Sequence, residues 1–260
     1  MHQPTGPGMP CEVAIIGGTG LTGMQDIQNL RHELITTPYG EASGPLSHGI
    51  LWGQPVIFLP RHGYGHTIPP HKVNYRANLW ALRQANVGLV IAVNAVGIIR
   101  PDIEPGSLVM PDQILDYTYG REHTYFDGTG EALVHVDFTR PYCEQMRGIF
   151  REAAAQADIV LPDKGCYGAT QGPRLETAAE INRMERDGCD LVGMTGMPEA
   201  ALARELGMNY VCIALGVNRA AGRGEAGIHA QMDTFLALSM ERLERLLRAS
   251  LPGVCAHARG

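Results

Sequence analysis

Val211-Cys-Ile-Ala-Leu-Gly-Val217 is an unbroken apolar run, and Asn218 ends it just before the loop Arg219-Ala-Ala-Gly222. A strand that is apolar on both faces belongs to a sheet covered on two sides, as in α/β folds with parallel strands. In that setting Asn218 is a neutral amide at the C-terminal end of a buried strand, where open α/β sheets bind small ligands. A carboxamide both donates and accepts hydrogen bonds, whereas an ionised carboxylate only accepts. The difference matters for a purine, because 6-oxo and 6-amino purines present opposite hydrogen-bonding edges. An Asn after a strand also serves as a simple turn former, so the ligand has to be sought in the rest of the chain.

Working outward, β-rich runs occur at Val13 to Ile16, Pro55 to Leu59, Leu89 to Val93 and Ser107 to Met110, besides Tyr210 to Leu215, which overlaps the run just quoted. Helical patterns are read over Asn74 to Gln84, Pro141 to Ala157, Thr177 to Asp187, Pro198 to Leu206 and Thr234 to Ser250. The last places Phe235, Leu236, Leu238, Met240, Leu243, Leu246 and Leu247 at helical spacing. Strands and helices alternate with no linker or compositional break. The expected fold is therefore α/β: a single domain over 11–252, with a central mixed β-sheet flanked by helices. Residues 1–10 are expected as a flexible N-terminal tail and 253–260 as a C-terminal tail. The segment from Asp116 to Phe138 is polar, aromatic and long for a structureless connection, the kind of loop that carries function.

The chain has 260 residues, 45% of them apolar, with 32 Gly and 17 Pro. It is long enough for a core that needs no staples. A net charge of −6 argues against a general nucleic-acid or anionic-membrane binder. Six cysteines without CxxC pairs fit small buried residues in a reducing compartment. The N-terminal stretch lacks the pattern of a signal peptide, and no apolar run approaches the ~20 residues of a membrane helix. A soluble, cytoplasmic protein is expected.

Five motifs carry chemistry. Ile15-Ile-Gly-Gly-Thr-Gly-Leu21 is a Gly-rich turn after a strand, suited to cradling phosphate with Thr19 as a hydroxyl donor. Gly18 to Gly23 also satisfies GxGxxG, but no amphipathic helix or second acid-ended strand follows, which weakens a dinucleotide reading. Arg61-His-Gly-Tyr-Gly-His66 offers forked donors from Arg61 and a further group from His62. A metal is not expected there, because no ligand cluster accompanies the His pair. Asn94-Ala-Val-Gly97 either presents backbone N–H groups and an amide to a ligand or is a small-residue turn. In Gln171-Gly-Pro-Arg-Leu-Glu-Thr177, Glu176 either accepts from a ring N–H or begins a helix. Gly193-Met-Thr-Gly-Met-Pro-Glu199 marks a helix start at Pro198, with Thr195 facing an anion and Met194 either lining a ligand or filling core.

These motifs, in this order and over nearly the whole chain, resemble the trimeric nucleoside phosphorylases, the family of purine nucleoside and methylthioadenosine phosphorylases. Asn74-Tyr-Arg-Ala-Asn-Leu-Trp80 and the Arg-His-Gly arrangement place the resemblance nearest the methylthionucleoside branch. The resemblance implies a homotrimer, with pairing of trimers left open, and phosphorolysis of an N-glycosidic bond. Inorganic phosphate is then a co-substrate, and no metal or organic cofactor is implied. Carried over residue by residue, Thr19, Arg61, His62, Asn94, Ala95 and Thr195 hold phosphate. Met194 borders ribose and base, Asn218 meets the purine's N7 and O6 edge, Glu176 meets its N1–H, and Leu175, Arg219 and Ala220 also bind the substrate. His135 reaches a neighbouring subunit's 5′ subsite, and Met232, Phe235 and Leu236 wall that subsite with apolar surface. Asn218 and His62 are the expected catalytic residues.

The sequence departs from adenine-specific methylthioadenosine phosphorylases. Asn218 and Ala220 stand where that branch has aspartates, and Glu176 stands where it has a small hydroxyl residue. The pair resembles the 6-oxopurine enzymes, for a 6-oxopurine carries N1–H for a carboxylate and O6 and N7 for an amide donor. An apolar 5′ wall favours S-methyl-5′-thioinosine as substrate over inosine or guanosine, although a small slip through the Gly222–Gly227 loop would bring His229 to the same place. Methylthioadenosine phosphorolysis ranks below both, and an NAD-binding oxidoreductase lower still.

Overall fold

The computed structural model describes residues 12–18, 27–128, 133–224 and 232–259. Ten strands form one mixed sheet: β1 (Glu12–Gly17), β2 (Ile27–Glu33), β3 (Leu46–Leu51), β4 (Gln54–Pro60), β5 (Val87–Ile98), β6 (Leu108–Val109), β7 (Gln113–Asp116), β8 (Cys166–Ala169), β9 (Leu191–Gly193) and β10 (Asn209–Arg219). The order is β2-β3-β4-β1-β5-β9-β8-β7, with β10 also paired to β5 and to β6. The helices are α1 (Tyr75–Gln84), α2 (Glu144–Gln156), α3 (Ala178–Arg186), α4 (Glu199–Glu205) and α5 (Met232–Arg259).

Alternation along the central strands sorts their side chains into two cores. Ala14, Ile16, Val90, Ala92, Cys212 and Ala214 pack with Leu79, Leu82, Leu202 and Ala203, under α1 and α4. Val13, Ile15, Ile91, Val93, Val211, Ile213 and Leu215 pack with Phe150, Leu243, Leu246 and Leu247, under α2 and α5. With both faces covered, β10 has to be apolar throughout, and this is why its sequence shows no polar alternation.

The junction around β5 makes room for a ligand. β1 pairs with β5 only as far as Ile16 opposite Ala92, while β9 takes up β5 at Gly97 and Ile98. Between them Val93 to Val96 lack a neighbour on that edge, although β10 continues alongside on the other. Strands β1, β4, β5 and β10 are all parallel, so their C-terminal ends converge on this gap.

The five helices fall where the sequence pattern puts them, but β5 and β10 run longer than their apolar cores suggest. Asn94 to Gly97 lies inside β5 and is not a turn. The expected tail at 253–260 is corrected too. Helix α5 continues through Pro252 to Arg259, burying Val254, Cys255 and Ala258. Its apolar positions keep helical spacing past the Pro-Gly pair, and the second core holds the last turns in place. Strands β2, β3, β7, β8 and β9 were not anticipated. Their residues are short, polar or exposed, as in β2, where Gln28 to His32 are all exposed. The expected N-terminal tail lies outside the described residues.

Candidate active site

A cavity of about 370 Å³ opens at the gap beside β5, within the size range of small-molecule sites. Gly18, Arg61, His62, Ala95, Thr195 and Met194 line one part of it, and Leu175, Glu176, Asn218, Ala220 and Met232 also face it. Thr19 lies outside the described residues.

Asn218 reaches the cavity because β10 is irregular. Leu215 and Val217 share a face by the two-residue period, which would send Asn218 to the opposite one. The register slips between Gly216 and Asn218, and this bulge re-aims the chain so that Asn218 and Ala220 also line the cavity. The Asn218 amide donates one hydrogen to the Arg219 carbonyl at 2.6 Å, leaving a second N–H. Gly97 leaves room opposite: a β-carbon there would lie 3.3 Å from Asn218 Nδ2 and 3.1 Å from Val192, tight enough to press on both.

Glu176 sits just before α3, whose capping box is made by Thr177 and Glu180. The helix-start role belongs to Thr177, and Glu176 is left outside the helix. The Thr170 hydroxyl donates to Glu176 Oε1 at 2.6 Å, a contact the sequence reading did not foresee. Glu176 also borders a second cavity of about 460 Å³ lined by Tyr117, Tyr119 and Arg183.

Arg61 follows β4 and is almost completely buried. Its Nε and Nη2 grip Glu199 at 2.6 and 2.7 Å, and Nη1 donates to the Val93 carbonyl at 2.9 Å. Tyr210 adds a donor to Glu199 at 2.8 Å. Burial opposes the cation, but Glu199 outweighs it and raises the guanidinium pKa. Arg61 thus reaches the cavity as half of a neutral pair, with one N–H on each terminal nitrogen left over. The sequence places Glu199 in the Met-Pro-Glu motif, but its partner is 138 residues away.

His62 is held by its Nδ1, 2.8 Å from the Ile68 carbonyl. A carbonyl only accepts, so Nδ1 carries the proton and the neutral ring keeps Nε2 as an acceptor. Burial, with the nearby Arg61 charge, pushes its pKa down to about 4. The further group that His62 offers at the cavity is therefore the Nε2 lone pair of a neutral ring, an acceptor and not a donor.

Asn94 is corrected as well. Alternation turns it away from the cavity, and its Nδ2 donates to Thr195 Oγ1 at 2.7 Å while Cys212 Sγ donates to its Oδ1. The contact has a directional consequence. With Oγ1 already accepting from Asn94, the Thr195 hydroxyl hydrogen is free to point at an anion.

Four other expected residues do not line the cavity of this chain. Arg219 turns outward to Glu104 and the Arg100 carbonyl. Phe235 lies over Gly106 with Leu238. His135 is exposed on the segment after Asp116. Leu236 packs into the second core behind Met232, so Met232, Leu215 and Val217 supply the apolar wall.

The chain has relatives throughout its length. The sequence profile of the Phosphorylase superfamily matches residues 12–252. A probable S-methyl-5′-thioinosine phosphorylase of Pseudomonas syringae pv. tomato is 50% identical over 94% of this chain and 95% of its own. The 6-oxopurine nucleoside phosphorylase of Pyrococcus furiosus is 42% identical over 92% of each chain. Among solved structures, a methylthioadenosine phosphorylase from an antarctic soil metagenomic library superposes with a TM-score of 0.87 at 35% identity, covering 95% of this chain and 87% of the other. Fold, motif order and full-length similarity agree that this chain belongs to the Phosphorylase superfamily.

Proposed function

We propose that the chain splits the N-glycosidic bond of a 6-oxopurine nucleoside with inorganic phosphate, and that its preferred substrate is S-methyl-5′-thioinosine. The products are hypoxanthine and 5-methylthioribose 1-phosphate. The observation that carries the reading is Glu176 and Asn218 facing the same cavity as Arg61 and Thr195. Glu176 Oε2, for which no hydrogen bond is found among the described residues, accepts from N1–H. The second N–H of Asn218 donates to N7. Adenine would set its N1 lone pair against the carboxylate, a mismatch costing ~1–3 kcal/mol or more. The names of the relatives support both base and reaction.

In the reaction a phosphate oxygen forms the bond to C1′ as the C1′–N9 bond breaks, and the electron pair moves onto the purine. Asn218 stabilises the charge that grows at N7, an interaction stronger in the transition state than in the ground state. Arg61 and Thr195 hold phosphate beneath C1′, and most of the acceleration is positioning. Neutral His62 orients phosphate by accepting from its hydroxyl or from the sugar. Met232, Leu215 and Val217 give the 5′ side an apolar wall that suits a methylthio group.

His229, the residue that would favour a 5′-hydroxyl, lies outside the described residues, so inosine and guanosine remain the second reading. Phosphorolysis in the cytoplasm, serving purine salvage without a further cofactor, completes the proposal. A homotrimer is part of it, because Tyr119, Leu133 and Val134 are exposed on the segment that bears His135. That segment would lend His135 to a neighbour's cavity. No described helix is long and apolar enough to cross a membrane.

Chromatography of the bases released from methylthioinosine, inosine, guanosine and methylthioadenosine, with and without phosphate, tests the reading. Hypoxanthine released fastest from methylthioinosine, and only with phosphate, is expected. Dominant adenine release overturns the choice of base, and phosphate-independent release overturns phosphorolysis.

A further inference from the structure

Arg121 lies on the irregular segment after β7, outside the cavity, and is 9% exposed. Its Nε donates to Gln171 Oε1, and its Nη2 donates to the carbonyls of Thr170 and Gln171 at 3.2 and 2.8 Å. Its Nη1 donates to the carbonyls of Met194 and Met197 at 2.9 and 2.6 Å and to the Tyr75 hydroxyl at 3.2 Å. The guanidinium also lies over the Tyr75 ring, 5.4 Å from its centre. All five N–H donors of the side chain are thereby used.

The two loops it grips extend from neighbouring parallel strands, β8 and β9. The first leads to Leu175 and Glu176 at the cavity, and the second carries Met194 and Thr195. Every acceptor is neutral, and no carboxylate pairs with Arg121 among the described residues. The five satisfied donors offset part of the cost of burying this cation. Its charge then remains uncompensated behind the loop that bears Thr195, in contrast to Arg61, whose charge is matched by Glu199.

We propose that Arg121 is the positioning residue that couples the two ends of the site. By fixing the loops after β8 and β9 to one rigid fork, it holds the acid that reads the base in register with the hydroxyl that meets phosphate. Ordering either loop with a ligand therefore prepares the other. The inference rests on the assignment of Glu176 to base and Thr195 to phosphate.

Titration calorimetry with inorganic phosphate, in the absence and presence of saturating hypoxanthine, measures the coupling directly. In the native protein hypoxanthine is expected to tighten phosphate binding by about fivefold or more, a usual size for coupled sites. In Arg121→Lys, which keeps the charge and loses the fork, the ratio should fall to within about twofold of unity. A purely structural role would weaken both ligands and leave the ratio unchanged. Should Arg121→Lys fail to fold, Gln171→Leu removes the acceptor that Arg121 Nε shares with the Tyr119 N–H and is expected to lower the ratio at least about twofold. A native ratio near unity, or variants that keep the native ratio, overturns the proposal. Absence of phosphate-dependent base release from the native enzyme would instead remove the functional reading beneath it.

Discussion

Replacing Asn218 with Asp changes almost nothing in shape and removes the N–H that the proposed reaction directs at N7 of the base. The bulge in β10 and the close approach to Gly97 leave the side chain little freedom to relocate. In Asn218→Asp an oxygen replaces Nδ2 2.6 Å from the Arg219 carbonyl, setting two acceptors against each other. That contact costs about 1–3 kcal/mol unless the carboxyl takes a proton, so its pKa is expected to rise. The kinetic effect is larger. Loss of a preorganised donor to a developing anion costs about 100- to 1,000-fold in kcat, or roughly 3–4 kcal/mol. The carboxylate would also repel the charge growing on the purine. Chromatographic assay of base release from methylthioinosine and methylthioadenosine, across pH, reads both consequences. At about pH 8 the hypoxanthine nucleoside should lose about 100-fold or more in kcat. Toward acid pH the carboxyl takes up a proton, which satisfies the Arg219 carbonyl and removes the repulsion of the purine, so part of the activity returns. The adenine nucleoside, whose amino group the carboxylate can accept from, should lose less. A kcat on methylthioinosine within about threefold of native at that pH, or an unchanged ratio between the two nucleosides, would refute the role given to Asn218.

Glu199→Gln strands the buried Arg61 cation, and urea denaturation should show a loss of about 3 kcal/mol; a loss under about 1 kcal/mol would mean that Arg61 is held by other means. His62 carries a pH signature. Its folded pKa of about 4 lies below the unfolded value of about 6.5, so the unfolded chain takes up the proton first as pH falls. Stability is therefore full above about pH 6.5 and declines toward pH 4, by about 2 kcal/mol once solvent access to the ring is discounted. His62→Asn, whose amide can still donate to Ile68, should flatten that decline in urea titrations; an unaltered decline would assign it to other groups. Thr170→Val frees Glu176 while keeping the backbone bond from Thr170 to Gly193 at 2.8 Å. Its KM for methylthioinosine should rise about tenfold, the worth of one charge-assisted hydrogen bond, with the KM for phosphate unaltered. Equal changes in both constants would contradict a role confined to the base.

What the sequence made legible, and what it hid, divides along the difference between local and distant partners. The apolar runs, the helix periods and the motif order are local, and each survives in the folded chain, although β5, β10 and α5 continue beyond their expected ends to Ile98, Arg219 and Arg259. The strands that escaped notice lack a local signal: β9 is three residues long, and β2 is an exposed edge. Asn218, Glu176, Thr195, Ala95 and Met232 meet at one cavity as expected, because each follows or ends an element whose direction the pattern already implied. The errors concern partners far apart in the chain. Asn94 reads as a ligand-facing amide until Thr195, 101 residues on, takes its N–H. Arg61 reads as a free cation until Glu199 neutralises it. With that pair summing to zero and His62 neutral, the side chains first expected to attract a phosphate dianion bring no net positive charge. In the proposed reaction the attraction would come from backbone N–H groups, the aimed Thr195 hydroxyl, the two spare hydrogens of Arg61 and the unmatched charge of Arg121 behind the loop. A site built this way favours geometry over field strength. Its affinity for phosphate should then depend more on the loops being held in register than on any single cation at the surface of the cavity.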